Sequence, residues 1–179
     1  MAGLTGCDIT LLDVPVNSLR NAMQRAGEEA INSRYHAIAA SGSALPFKTG
    51  SFEAISHSDV LCCLPDKLEM LEECRRIARN GARMLFYVIA PNRKIAGAEL
   101  EEACEVGPPF VSVDDRYENL LTNSGWEVLN KTDLTDDYVS ALSRLAQGMK
   151  AQAKILTEVL GQEEFERQLD LRFRQISAI

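Results

Sequence analysis

Short dense apolar runs alternate along this chain with stretches whose apolar residues recur at helical spacing, and that alternation predicts a strand-helix-strand order. Residues 7–12, with Ile9, Leu11 and Leu12 between Gly6 and Asp13-Val14-Pro15, suit a short buried strand ending in an acidic turn. A helix follows, because Pro15 is tolerated in a first turn, Asn17 or Ser18 can cap it, and Leu19, Met23 and Ala26 recur before Gly27. Residues 35–40 read as the next strand. A loop at Ala44-Leu45-Pro46-Phe47 then leads into a third strand at 52–56 and an apolar stretch at 60–64 that opens into a helix at 67–79. In that helix Leu68, Leu71 and Ile77 face inward, Glu69, Glu72, Glu73, Arg75 and Arg76 face mostly outward, and Asn80-Gly81 is the expected stop. Residues 83–90 form a nearly continuous apolar run, the signature of a parallel strand buried on both faces, closed by Pro91.

Beyond Pro91 the character changes. Helices are expected at 96–104 and 113–124, separated by Gly107-Pro108-Pro109, and a strand at 125–129. From Asp136 the spacing of Val139, Leu142, Leu145, Met149, Ala153, Leu156 and Leu160 is helical; Gly161 interrupts it, and Phe165, Leu169, Phe173 and Ile176 resume it. The fold class expected is α/β, a Rossmann-like doubly wound, mostly parallel sheet with added C-terminal helices. Residues 1–179 read as a single domain, with a core at 1–92 and a largely helical part at 93–179.

Composition narrows the partners. A length of 179 residues with 46% hydrophobic content supports one real core, and a net charge of −7 argues against a nucleic-acid backbone or an anionic membrane as partner. No apolar run approaches the length that spans a bilayer and no leader pattern opens the chain, so a cytoplasmic location is expected. Five cysteines without a C-x-x-C pair, and two histidines, make a structural metal site improbable; the adjacent Cys62 and Cys63 read as packing or pocket lining before they read as a redox pair.

Four phrases in order carry a family resemblance: an acidic residue ending a strand at Asp13, the loop Ser41-Gly42-Ser43-Ala44-Leu45-Pro46-Phe47, the stretch from Ser51 through Leu64, and Gly81-Ala82 before an apolar strand. Over roughly residues 6 to 135 the chain resembles the class I S-adenosylmethionine-dependent methyltransferases, in particular the small-molecule, type 11-like group. The resemblance implies S-adenosylmethionine as cofactor, held by residues 1–92, and a small-molecule methyl acceptor met by residues 93–179. An oligomer is compatible with it. On this reading Asp13 accepts the ribose hydroxyls and Val14 packs beneath the adenine, while the residues alone equally allow Asp13 to cap the following helix. Ser41 and Gly42 stand where the family has Asp-Ala against the adenine ring; a serine hydroxyl accepts a hydrogen bond without the strength of a carboxylate, and an ordinary polar turn is the competing reading. His57, expected just beyond the strand at 52–56, falls beside the methionine end of the cofactor and is a candidate base for an acceptor hydroxyl or amine, or a structural histidine. His36 reads as a packing residue. Phe110, Trp126, Tyr138 and Phe165 read as core residues before they read as acceptor-pocket walls, and Arg172-Phe173-Arg174 as a solvated face rather than an anion site.

The family's opening strand and Gly-rich turn, V-L-D-x-G-x-G-x-G, have no counterpart in the sequence, and Gly3 and Gly6 do not replace them. The expected sheet is therefore incomplete at the N-terminus, one wall of the cofactor site is lacking, and methyl transfer by this chain alone is expected to be impaired. Two other readings stay open: a noncatalytic interaction or regulatory module, and a nicotinamide-dependent oxidoreductase, which would also need the Gly-rich turn.

Overall fold

Two strand-helix-strand passages carry the first half of the chain in the computed structural model, which describes residues 6–28, 34–92, 94–112 and 115–179. In the first passage β1 (Ile9–Asp13) lies parallel to β2 (Tyr35–Ala39), in register from Ile9 opposite Tyr35 to Asp13 opposite Ala39. Their connection contains α1 (Val16–Glu28), which packs on both strands. Leu19, Ala22, Met23 and Ala26 recur at i, i+3, i+4 and i+7, so Leu19 is buried and the other three half-buried on one stripe of an otherwise exposed helix.

The second passage runs from β3 (Phe52–Ser58) through a 3-10 turn at Leu61–Cys63 and α2 (Lys67–Ile77) to β4 (Ala78–Tyr87), which pairs with β3. The Ser51 amide donates to the Ile77 carbonyl at 2.7 Å and the Asp59 amide to the Tyr87 carbonyl at 3.0 Å, so the partners ascend together, as in a parallel pair. In α2, Lys67, Met70, Leu71, Cys74 and Ile77 form one buried stripe. Among the described residues the two pairs, β1–β2 and β3–β4, are separate two-stranded sheets.

Packing divides the chain into two compact units, one of Met1–Ser56, Asp66–Leu85 and Asn119–Trp126, the other of His57–Pro65, Phe86–Glu118 and Glu127–Ile179. The second unit contains α3 (Ala98–Val106) and the helices α5 (Thr135–Ala151), α6 (Ala153–Leu160) and α7 (Gln162–Ser177); a short helix, α4 (Tyr117–Asn123), precedes α5 in the chain. Helix α7 is the hub of the second unit, packing on α3, α5 and α6, with Leu142, Ala146 and Phe165 buried. Gly161 joins α6 to α7 at φ +85°, a left-handed conformation that a side chain would strain.

Three local expectations differ from the structure. Helix α2 ends at Ile77 rather than at Asn80-Gly81, because the carbonyls of Arg76 and Ile77 already accept the amides of Gly50 and Ser51, at 3.0 and 2.7 Å; Gly81, at φ +78°, sits inside β4. β4 is covered on one face only, with Leu85 and Tyr87 exposed. Residues 125–129 do not form a strand. The Trp126 amide donates to the Leu121 carbonyl at 2.8 Å and its indole N–H to the Leu71 carbonyl at 3.1 Å, which commits the residue to α4 and α2, while Leu129 is 70% exposed. The start of the helix expected at 113–124 lies outside the described residues; Tyr117–Asn123 is helical. Replacing Trp126 by Phe deletes the indole N–H and part of the ring, so urea unfolding followed by circular dichroism should show a loss of about 2 kcal/mol.

Candidate functional site

The parallel register of β1 and β2 sets the first group of candidate residues. Because the Asp13 carbonyl accepts the Ala40 amide at 3.2 Å, Asp13 and Ser41 leave the sheet at the same, carboxyl end, where open parallel sheets hold their ligands. One carboxylate oxygen of Asp13 accepts the Val14 amide at 2.8 Å. That bond lies ahead of α1, whose first turn is closed instead by the Pro15 carbonyl accepting the Ser18 and Leu19 amides at 3.0 and 3.4 Å; the Asp13 side chain is thus exposed and turned away from a capping role. Val14 beside it is 67% exposed, an apolar side chain that the described chain leaves open. A carboxylate oxygen for ribose hydroxyls and an open apolar surface for a purine both fit an adenosine group.

Residues 41–44 form a tight turn facing this end. The Ser41 hydroxyl accepts the Ser43 amide at 3.2 Å, and the Ser41 carbonyl accepts the Ala44 amide at 3.1 Å. Gly42 is favoured by close approach, since a Cβ there would stand 3.3 Å from Cγ of the buried Met70 of α2, whose side chain would have to shift slightly. The Ser41 hydroxyl keeps its proton to donate and its residue is exposed, compatible with a weak contact to a heterocycle edge.

What holds the following loop is a side-chain clamp. Arg76 donates from Nη1 to the Phe47 carbonyl at 2.6 Å, from Nη2 to the Leu45 carbonyl at 2.8 Å, and from Nε to Glu73 Oε1 at 2.6 Å. Glu73 completes it by accepting the Leu45 amide at 2.8 Å through Oε2. The Arg76 guanidinium holds the Glu73 carboxyl below the usual carboxylate range. Helical periodicity placed both residues outward and missed this role. The signal available was the loop itself, in which Pro46 lacks an N–H and the Phe47 carbonyl needs a donor from elsewhere, while the Leu45 carbonyl already accepts the Phe47 amide at 2.8 Å. Phe47 adds an edge-to-face contact with Phe52, ring centroids 4.9 Å apart.

His57 belongs to the other unit and lies within β3, not beyond it. Its ring stacks on Phe86 at 4.9 Å and 14°, and both nitrogens are buried without a hydrogen-bond partner among the described residues. Burial pushes its pKa down to about 4, so the imidazole is neutral at pH 7 and a weak base. The turn after β3 is built on Asp59, whose φ of 55° is a left-handed conformation that aspartate tolerates better than most residues. Its carbonyl accepts the thiol of the buried Cys62 at 3.3 Å.

Within the same unit a cleft of 510 Å³ opens beside the ends of this turn and of β4, lined among others by Cys63, Ile89, Tyr138, Leu171, Arg172 and Gln175. Tyr138 is therefore a pocket wall, as is Cys63, whereas Phe165 is core and Trp126 lies against α2. Arg172 also departs from expectation. Packing of α7 on α3, fastened by Gln175 Nε2 donating to the Val106 carbonyl at 2.8 Å, turns it into the cleft instead of onto a solvated face. Among the described residues no group of three or more His, Cys, Asp or Glu could hold a metal, and no helix is long and apolar enough to cross a membrane.

Residues 1–86 match the family model described as a methyltransferase domain. Among curated proteins the chain is 24% identical over 139 residues to an O-methyltransferase of Penicillium expansum, covering 76% of this chain and 50% of that protein. It is likewise 24% identical over 161 residues to the 27-O-demethylrifamycin SV methyltransferase of Amycolatopsis mediterranei, covering 86% of this chain and 59% of that one. The chain thus spans about half the length of the curated relatives it matches. Among solved structures, phosphoethanolamine N-methyltransferase 2 of Haemonchus contortus, in complex with phosphomonomethylethanolamine and S-adenosylhomocysteine, shares the fold with a TM-score of 0.82 at 13% identity, over 98% of this chain and 41% of that one.

Proposed function

Because the chain is a relative of the class I S-adenosylmethionine-dependent methyltransferases, we propose that it serves methyl transfer to a small-molecule acceptor. The observation that carries this reading is the common end of β1 and β2, which brings Asp13 and Val14 to the turn at Ser41 and Gly42. In the proposed site Asp13 accepts the ribose hydroxyls, Val14 packs against one face of the adenine, Ser41 meets its edge, and Gly42 lets the turn rest on Met70. The clamp of Glu73 and Arg76 keeps that turn in place. When bound, S-adenosylmethionine supplies an activated methyl group, whose carbon–sulfur bond breaks onto sulfur as an acceptor lone pair takes the carbon and the acceptor's proton passes to solvent or a base. The chain's own task is alignment, since holding two reactants in line at attack distance supplies much of such an acceleration. His57, with its pKa pushed down to about 4 by burial, is a poor candidate for drawing an acceptor's proton at neutral pH.

The matched family and curated relatives favour methyl transfer over a noncatalytic module or a nicotinamide-dependent oxidoreductase. Free thiols at Cys62, Cys63, Cys74 and Cys104 support a reducing compartment such as the cytoplasm.

Titration calorimetry with S-adenosylhomocysteine tests the reading on residues 1–179 and on the same chain with a V-L-D-x-G-x-G-x-G strand and turn joined ahead of Met1. Clear binding is expected for the extended protein and weak or no binding for the shorter one. If the extended protein took up a nicotinamide dinucleotide and ignored the thioether, methyl transfer would be the wrong reaction class. In the extended protein Asp13→Ala should weaken S-adenosylhomocysteine about tenfold, the worth of one charge-assisted hydrogen bond. Unchanged affinity would remove Asp13 from the ribose site.

A further inference from the structure

The cleft beside the ends of β3 and β4 has one uncompensated charge. Its walls are largely apolar, with Ile89, Val106 and Leu171 among them, and three charged side chains reach it. Two of these are neutralised: Glu105 pairs with Arg174 at 3.0 Å and Arg167 with Glu164 at 2.7 Å. Among the described residues the third, Arg172, has only amide partners, Nη1 donating to Gln175 Oε1 at 2.6 Å and Nη2 to Gln168 Oε1 at 3.4 Å. Those amides orient the guanidinium without cancelling its charge. Its Nε–H is buried and has no partner among the described residues. A guanidinium has five N–H donors in a planar fork, so at least three stay unused here, and leaving a buried charge-bearing donor unmade is unfavourable. Tyr138, another wall residue, adds a phenol within electrostatic reach of Arg172.

We propose that this cleft binds an anionic small molecule, whose carboxylate or phosphate is gripped by Arg172 while its body lies on the apolar wall. An oxyanion matches the fork geometry of the guanidinium, and the amides of Gln168 and Gln175 hold that fork in place before a ligand arrives. A neutral ligand of the same shape would leave the Arg172 charge unanswered.

The test is a two-dimensional NMR titration that follows the arginine Nε–H signals, with benzoate, phenyl phosphate and neutral benzamide as probes and the exposed Arg20 as internal control. Benzoate or phenyl phosphate should move the Arg172 signal saturably at a concentration about tenfold below that of benzamide, and whichever acts at the lower concentration names the anionic group. Arg172→Gln should weaken the preferred anion about tenfold and leave benzamide unchanged. The comparison of the three probes on the unaltered chain stands even if that variant unfolds. Equal responses to benzamide and the anions, or shifts shared with Arg20 that never saturate, would overturn the proposal. S-Adenosylhomocysteine binding to the extended protein without an Arg172 response sinks the anionic cleft alone. An Arg172 response without any S-adenosylhomocysteine binding sinks the methyl-transfer reading and leaves the anionic cleft standing.

Discussion

Arg76→Ala should cost the chain about 3 kcal/mol of stability and open residues 44–47 to proteolysis, because it deletes two charge-assisted bonds to carbonyls and two to a carboxylate. The magnitude does not come from the ion pair. Arg76 and Glu73 side chains are 34% and 23% exposed, and a pair in that setting contributes about 1 kcal/mol or less. The larger part is the Leu45 and Phe47 carbonyls, which accept at 2.8 and 2.6 Å from one guanidinium; the Phe47 carbonyl would lose that donor outright, while the Leu45 carbonyl would keep the Phe47 amide at 2.8 Å. Arg76→Lys recovers at most one of these bonds, because an ammonium on a flexible stem cannot span two carbonyls and a carboxylate at once. Glu73→Gln leaves the arginine on both carbonyls and should cost about 1 kcal/mol. Urea unfolding of the three variants, with limited proteolysis of the folded proteins, separates the contributions. If Glu73→Gln cost as much as Arg76→Ala, the carboxylate and not the carbonyls would be holding the loop. Since the loop continues directly from the turn at Ser41 and Gly42, the same Arg76→Ala change should weaken S-adenosylhomocysteine binding by the extended protein, without touching any atom proposed to meet it.

The parts of this molecule legible in its sequence are those set by period. β1, α1 and β2 were readable because dense apolar runs flank a stripe at Leu19, Met23 and Ala26, and a parallel pair must then bring the residues after each strand, Asp13 and Ser41, to one end. Gly161 was readable as a break because only a left-handed turn follows from glycine between two helical patterns. What period cannot convey is what lies over a polar face. Glu73 and Arg76 do point away from the stripe of α2, yet a loop 26 to 31 residues earlier in the chain lies there to be clamped. Arg172 sits among charges on α7 and looks solvated until α3 packs beside it. Residues 125–129 have strand composition, but a strand exists only beside another, and the Trp126 indole found its acceptor on α2 instead.

Stability should fall as the pH drops from 7 to 5, by about 2 kcal/mol through His57 alone, and His57→Phe should abolish that loss. In the folded chain the imidazole is buried against Phe86 with neither nitrogen partnered, and its pKa is pushed down to about 4; in the unfolded chain it has the ordinary value of 6.5. At pH 7 the folded chain holds it neutral and the unfolded chain mostly so, and it contributes little pH dependence. Between pH 6.5 and about 4 the unfolded chain binds a proton that the folded chain refuses, so stability rises with pH across that window and is lost progressively as acid is added. Carboxylates held low in the folded chain, Glu73 by Arg76, Glu118 by Lys131 and Asp133 by Thr135, act in the same direction, but chiefly below their ordinary values near 4. The interval from pH 7 to 5 therefore isolates the histidine. Phenylalanine keeps a ring on Phe86 and removes the titrating nitrogens, so the variant should match the parent or exceed it at pH 7 and be the more stable of the two at pH 5. Urea unfolding at both pH values reads the difference. Parallel pH profiles for parent and variant would mean that His57 is hydrated or paired in solution, and would return it to the residues able to take a proton from an acceptor.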